Sequence, residues 1–77
     1  MSPLADTLGQ CIRHARKTAG LSQEHLALKA KVDRSYMGRI ERGEANITVE
    51  MLYQIARVLD VPPHTLLPDP ASVSLSN

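Results

Sequence analysis

In the segment RSYMGRIER, residues 34–42, the apolar residues Met37 and Ile40 stand three apart, and Arg34, Ser35, Tyr36, Gly38 and Arg39 fall off their spacing. On a helix these five point outward or sideways, so guanidinium and hydroxyl groups share an outer surface. That is chemistry for contacting nucleic acid. An arginine can donate two hydrogen bonds to guanine O6 and N7, a pairing worth roughly 1–3 kcal/mol of base discrimination. Arg34 at the start of the segment and Arg39 about a turn and a half later address different bases. Ser35 can donate or accept and reads less strictly. Tyr36 offers a hydroxyl to a phosphate or a ring to a thymine methyl, the alternative being a partly buried filler.

Two further groups suit phosphate. Ser22 and Gln23 open the preceding helix, where free N–H groups and the positive end of the dipole favour an anionic oxygen; capping alone is the plainer role. Arg42 reaches either a phosphate or solvent. Other chemistries find little support. Cys11 and His14 are three apart, with His25 and His64 elsewhere, but no Cys-x-x-Cys or His-x-x-x-His pair is present, so no metal is expected and Cys11 reads as a small core residue. No glycine-rich phosphate loop, nucleophile motif or acid pair points to an enzyme, and no cofactor is expected.

The elements that position these groups follow from caps and periodicity. A first helix from Leu4 or Asp6 to Thr18 carries Leu8, Ile12 and Ala15 on one stripe, flanked by Cys11 and Ala19, and stops at Gly20. Ser22 caps a second helix ending near Lys31, with Leu26, Ala27 and Ala30 inward and Leu21 and Leu26 as a hydrophobic staple. Asp33 caps a third helix, Arg34 to Arg42, closed by Gly43. Thr48 caps a fourth, with Ile47 and Leu52 as staple and Leu52, Ile55, Ala56 and Leu59 as its core face. Asp60 takes the left-handed stop, and Pro63 starts a short fifth helix through Leu67. Residues 1–67 thus form one domain. The remainder, PDPASVSLSN, reads as a flexible tail, with Val73 and Leu75 alternating with serines as a weak signal for an edge strand formed in a dimer.

Composition agrees with packed helices. The chain has 77 residues, no Phe, no Trp and only Tyr36 and Tyr53 as aromatics, so its core is aliphatic. Residues 1–44 carry eight Lys or Arg against five Asp or Glu, a net of +3, whereas the rest carries one Arg against three acids, a net of −2. The basic half contains the two capped helices, as expected if that half meets phosphates. The single cysteine cannot form an internal disulfide, and no apolar run approaches the roughly 20 residues needed to span a bilayer. A cytoplasmic protein with no membrane association is expected.

The stretch from Ile12 to Leu67, with LSQEHLA, VDRSYMGRIERGE, NITVEMLYQIARVL and VPPHTLL, resembles the phage-repressor and Cro-like family of five-helix DNA-binding domains, also called the Xre family. The RIERGEANIT segment resembles the small controller proteins of restriction-modification systems. The resemblance implies an all-α, lambda-repressor-like domain with a helix-turn-helix at helices two and three, binding double-stranded DNA as a two-fold dimer with the third helix in the major groove. It implies base contacts by Arg34, Ser35 and Arg39, phosphate contacts by Ser22, Gln23 and Arg42, and an ion pair between Arg16 and Glu41. It also implies a dimer contact on the fifth helix and the turn before it, for which Val61, Leu66 and Leu67 are exposed candidates. His25 and Asp60 depart from the family pattern.

The expected function is therefore a homodimeric, sequence-specific transcriptional regulator on a two-fold operator, blocking RNA polymerase or touching it from an adjacent site. Two alternatives stand beside it: an antitoxin or restriction-modification controller regulating its own operon, and a protein-interaction module without DNA binding. Cations on the third helix argue against the last.

Overall fold

The computed structural model describes residues 2–73. Four α-helices, α1 (Pro3–Thr18), α2 (Gln23–Ala30), α3 (Arg34–Glu41) and α4 (Val49–Leu59), are followed by 3-10 helices at Pro63–Leu66 and Pro70–Ser72. The described residues contain no strand. The expected fifth helix is thus a single 3-10 turn. The segment after it holds a second such turn, where Asp69 accepts a hydrogen bond from the Ala71 N–H. Val73 is extended, whereas Leu75 lies outside the described residues.

Caps set the helix starts. Ser2 accepts from the Ala5 N–H at 3.1 Å with Pro3 in the first position, so α1 begins earlier than its apolar stripe indicates. Ser22 and Thr48 cap α2 and α4 through the N–H groups of His25 and Met51. Asp33 differs from expectation: it occupies the cap position, but its carboxylate accepts from the Ser35 hydroxyl and makes no capping bond to the backbone.

All four α-helices end with one hydrogen-bond pattern. The left-handed residue (Gly20, Lys31, Gly43, Asp60) donates to the carbonyl three back, and its successor (Leu21, Val32, Glu44, Val61) donates to the carbonyl five back. This double closure satisfies two carbonyls that would otherwise lack partners. Lys31 and Asp60 adopt φ of 61° and 57° without glycine's freedom. At Gly43, φ is 76° and a side chain would run into Asp6, so both conformation and space require glycine.

The core joins Ile12 of α1, Leu26, Ala27 and Ala30 of α2, Met37 and Ile40 of α3, Leu52, Ile55, Ala56 and Leu59 of α4, and Leu66. Helix α3 packs against α1 and α2, α2 against α4, and the 3-10 turn at Pro63–Leu66 against α1 and α4. Gly9 makes the α1–α3 approach possible: a β-carbon there would stand 2.5 Å from the Ile40 carbonyl oxygen and 2.8 Å from that of Glu41. Leu66 corrects an expectation. It is only 1% exposed, because the tight turn directs it into the space between α1 and α4, so it is a core residue and unavailable to a partner.

Candidate nucleic-acid interface

Helix α3 has two unlike sides. Met37, Ile40 and Glu41 are buried, while Arg34, Ser35 and Arg39 are exposed and Tyr36 is half-buried against the core. Gly38 is also buried, contrary to its assignment to the outward side. The Arg42 and Gln23 side chains lie over it, and a β-carbon at residue 38 would stand 3.0 Å from Arg42 Nη1 and 3.3 Å from Gln23 Oε1. Periodicity within one helix carried no trace of those neighbours.

The inner side is anchored by charge as well as by apolar packing. Arg16 Nε donates to Glu41 Oε2 at 2.7 Å and Nη2 donates to Oε1 at 3.0 Å, a two-point pair linking α1 to α3. Arg16 Nη1 also donates to the Leu21 carbonyl at 2.9 Å, and Gln23 Nε2 donates to Glu41 Oε1 at 3.1 Å. Thus α1, the turn after it, α2 and α3 are joined through one ion pair: Arg16 and Gln23 meet the Glu41 carboxylate, and Arg16 also holds the Leu21 carbonyl. Both residues of the pair are buried, and among the described residues no buried side-chain nitrogen or oxygen is left without a partner. The arrangement fixes the orientation of α3 relative to α1 and α2. Gln23, assigned from sequence to phosphate, gives one amide hydrogen to this network and retains its carbonyl oxygen beside Gly38.

The outer side is held loosely. Among the described residues no side-chain hydrogen bond engages Arg34. Ser35 donates to Asp33 Oδ2, and Arg39 Nη2 donates to the Glu44 carbonyl at 3.3 Å. Arg42 is paired with the Glu44 carboxylate, Nε to Oε2 at 3.1 Å and Nη2 to Oε1 at 3.2 Å. That hydrogen bond raises the Arg42 pKa and lowers the Glu44 carboxyl below its ordinary value. Ser22 keeps its hydroxyl proton free for a further acceptor, since its oxygen accepts the cap bond from His25. The Gln23 and Glu24 N–H groups have no intrahelical acceptor, as expected in a first turn.

Residues 12–66 match the Helix-turn-helix family HTH_3. The chain belongs to this family. It is similar to the HTH-type transcriptional regulator SinR of Bacillus subtilis, with 44% identity over 61 residues, 78% of this chain and 55% of SinR. The chain therefore spans about half the length of that relative. Among solved structures, the restriction-modification controller protein C.AhdI from Aeromonas hydrophila aligns with TM-score 0.80 and 40% identity, covering 82% of this chain and 96% of the controller. SinR in complex with DNA aligns with TM-score 0.73 and 43% identity, covering 77% of this chain and 95% of that one.

Elsewhere on the HTH_3 domain, Cys11 and His14 line a groove of about 520 Å3 together with Ala15, Leu59, Val61 and Thr65. Cys11 is half-buried at its edge, short of the full core position expected. Among the described residues no three His, Cys, Asp or Glu side chains gather in a metal-binding group. Of the apolar residues proposed for a partner contact, Val61 is half-buried and Leu67 is 51% exposed. No helix of the described residues is long and apolar enough to cross a membrane.

Proposed function

We propose that this chain is a sequence-specific, DNA-binding transcriptional regulator acting in the cytoplasm as a homodimer on a two-fold operator. The observation that carries this reading is the division of α3: its inner side is locked by the core and the Arg16–Glu41 pair, while Arg34, Ser35 and Arg39 stand exposed on the other. A helix of this width fits the major groove, so those three side chains meet base edges there. Ser22, Gln23, Tyr36 and Arg42 contact flanking phosphates and set the register. Val61 and Leu67 form part of the contact between copies, which sets half-sites about 34 Å apart. Occupancy then blocks RNA polymerase or presents a surface to it. The similarity to SinR, whose structure is in complex with DNA, supports DNA binding by the shared fold.

A second reading is favoured by the C.AhdI alignment, which takes in 96% of that controller. On this reading the regulated operon encodes a restriction-modification system and the chain controls its own expression. A nuclease or methyltransferase gene beside the coding sequence would support it.

Fluorescence anisotropy of a labelled duplex, followed across salt, tests the DNA reading. Binding should weaken steeply between about 50 and 200 mM salt as phosphate contacts release counterions. Affinity that is absent at low salt, or indifferent to salt, would instead favour a protein-interaction module.

A further inference from the structure

The four helix ends share one backbone pattern, yet the residue after the left-handed position differs in one of them. Leu21, Val32 and Val61 are apolar and pack against the core, as this motif usually arranges. After α3 the same position is Glu44, which is exposed. Its backbone is fixed, since its N–H donates to the Arg39 carbonyl at 2.8 Å and its own carbonyl accepts from Arg39 Nη2 at 3.3 Å. Its carboxylate accepts from two nitrogens of Arg42. One residue therefore engages two of the cations assigned to DNA.

Resting on the DNA-binding reading, we infer that Glu44 is a specificity-determining latch that occupies Arg42 in the free protein and must yield it before a phosphate can be bound. Contact between Arg42 and an arbitrary phosphate exchanges one carboxylate partner for another anion, so little is gained. The exchange succeeds where base contacts by Arg34 and Arg39 hold α3 in register. Glu44 thus weakens sequence-independent binding more than operator binding and raises the ratio between them.

The test compares the full chain with Glu44→Gln on a labelled duplex of arbitrary sequence, by anisotropy from about 50 to 200 mM salt. Gln keeps the length and hydrogen-bonding oxygen of Glu but removes its charge. Affinity at the lowest salt should rise roughly threefold to tenfold, and the slope of log K against log salt should steepen by up to about 0.9, the release for one additional phosphate contact. In an Arg42→Ala background the same substitution should give less than about a twofold gain. Unchanged affinity and slope in Glu44→Gln, or weaker binding, would overturn the latch while leaving DNA binding intact. A full gain in the Arg42→Ala background would also overturn it, reducing Glu44 to a general negative charge. Failure of the unmodified chain to bind duplex at any salt would remove both the DNA reading and the latch.

Discussion

Helix α3 ends between two ion pairs that use the same chemistry in opposite surroundings. Arg16–Glu41 has side chains 10% and 3% exposed, with further hydrogen bonds from Gln23 and to Leu21. Arg42–Glu44, one residue further along, has side chains 59% and 52% exposed. The inner pair has no solvent to replace a missing partner and so acts as a fixed joint. The outer pair is surrounded by water, and its members can exchange partners at small cost. Depth, rather than geometry, separates a residue that positions α3 from one free to exchange partners.

The largest expected effect comes from breaking the inner joint. Arg16→Ala or Glu41→Ala should lower stability by about 3–5 kcal/mol in urea denaturation, since each strands a buried charge. Replacing both, as Arg16→Met with Glu41→Leu, should recover most of that loss. If a single substitution cost no more than a typical surface change, the joint would not hold α3.

The same contrast between depth and surface divides Leu66 from Leu67. Leu66→Ala should destabilise by roughly 2–5 kcal/mol, whereas Leu67→Ala should leave stability within about 0.5 kcal/mol. Sedimentation would check the other half of the comparison, with Leu67→Ala weakening self-association.

On the outer surface, Arg34→Ala should cost roughly 1–3 kcal/mol on a specific site and relax preference at one position per half-site. Arg42→Ala should weaken operator binding without changing which base is preferred at any position, and leave the melting temperature unchanged. A binding assay on matched and mismatched duplexes separates the two. Loss of preference from Arg42→Ala, or none from Arg34→Ala, would invert the assignment of base and phosphate contacts.

The smallest effect concerns the helix ends. Lys31→Gly should relieve left-handed strain and stabilise the fold by roughly 0.5–1 kcal/mol, provided the thermal scan is read with DNA absent.

Much of this architecture could be read from local signals. Ser22 and Thr48 announce their helices, Gly20, Gly43 and Asp60 mark their ends, and the stripes of α2 and α4 identify their core residues because a cap or an amphipathic repeat is written within a few residues. Family membership was legible for the same reason, as motifs spread over most of residues 12–66. What escaped depends on neighbours distant in sequence. Gly9 carries no periodic signal, yet the approach of α3 requires it. Gly38 looks outward on a helical wheel but lies beneath Gln23 and Arg42. Leu66 follows a proline-rich turn whose direction, inward, is set by packing. Lys31 gives no hint of a left-handed stop, although the Ser-Pro start of α1 was a signal that could have placed its cap at Ser2.

For the interface, the residue types were readable and their partners were not. The composition of residues 34–42 points to nucleic acid, but the engagement of Arg42 by Glu44 and of Gln23 by Glu41 appears only in three dimensions.

Selecting bound duplexes from a randomised DNA library at near-physiological salt, and sequencing them, shows whether α3 reads bases from a two-fold dimer. Base reading by a dimer should enrich a palindrome whose half-sites are about one helical turn apart, with preference lost at particular positions when Arg34 or Arg39 is replaced by Ala. Recovery of unenriched sequence, with weak binding that vanishes as salt rises, would contradict it.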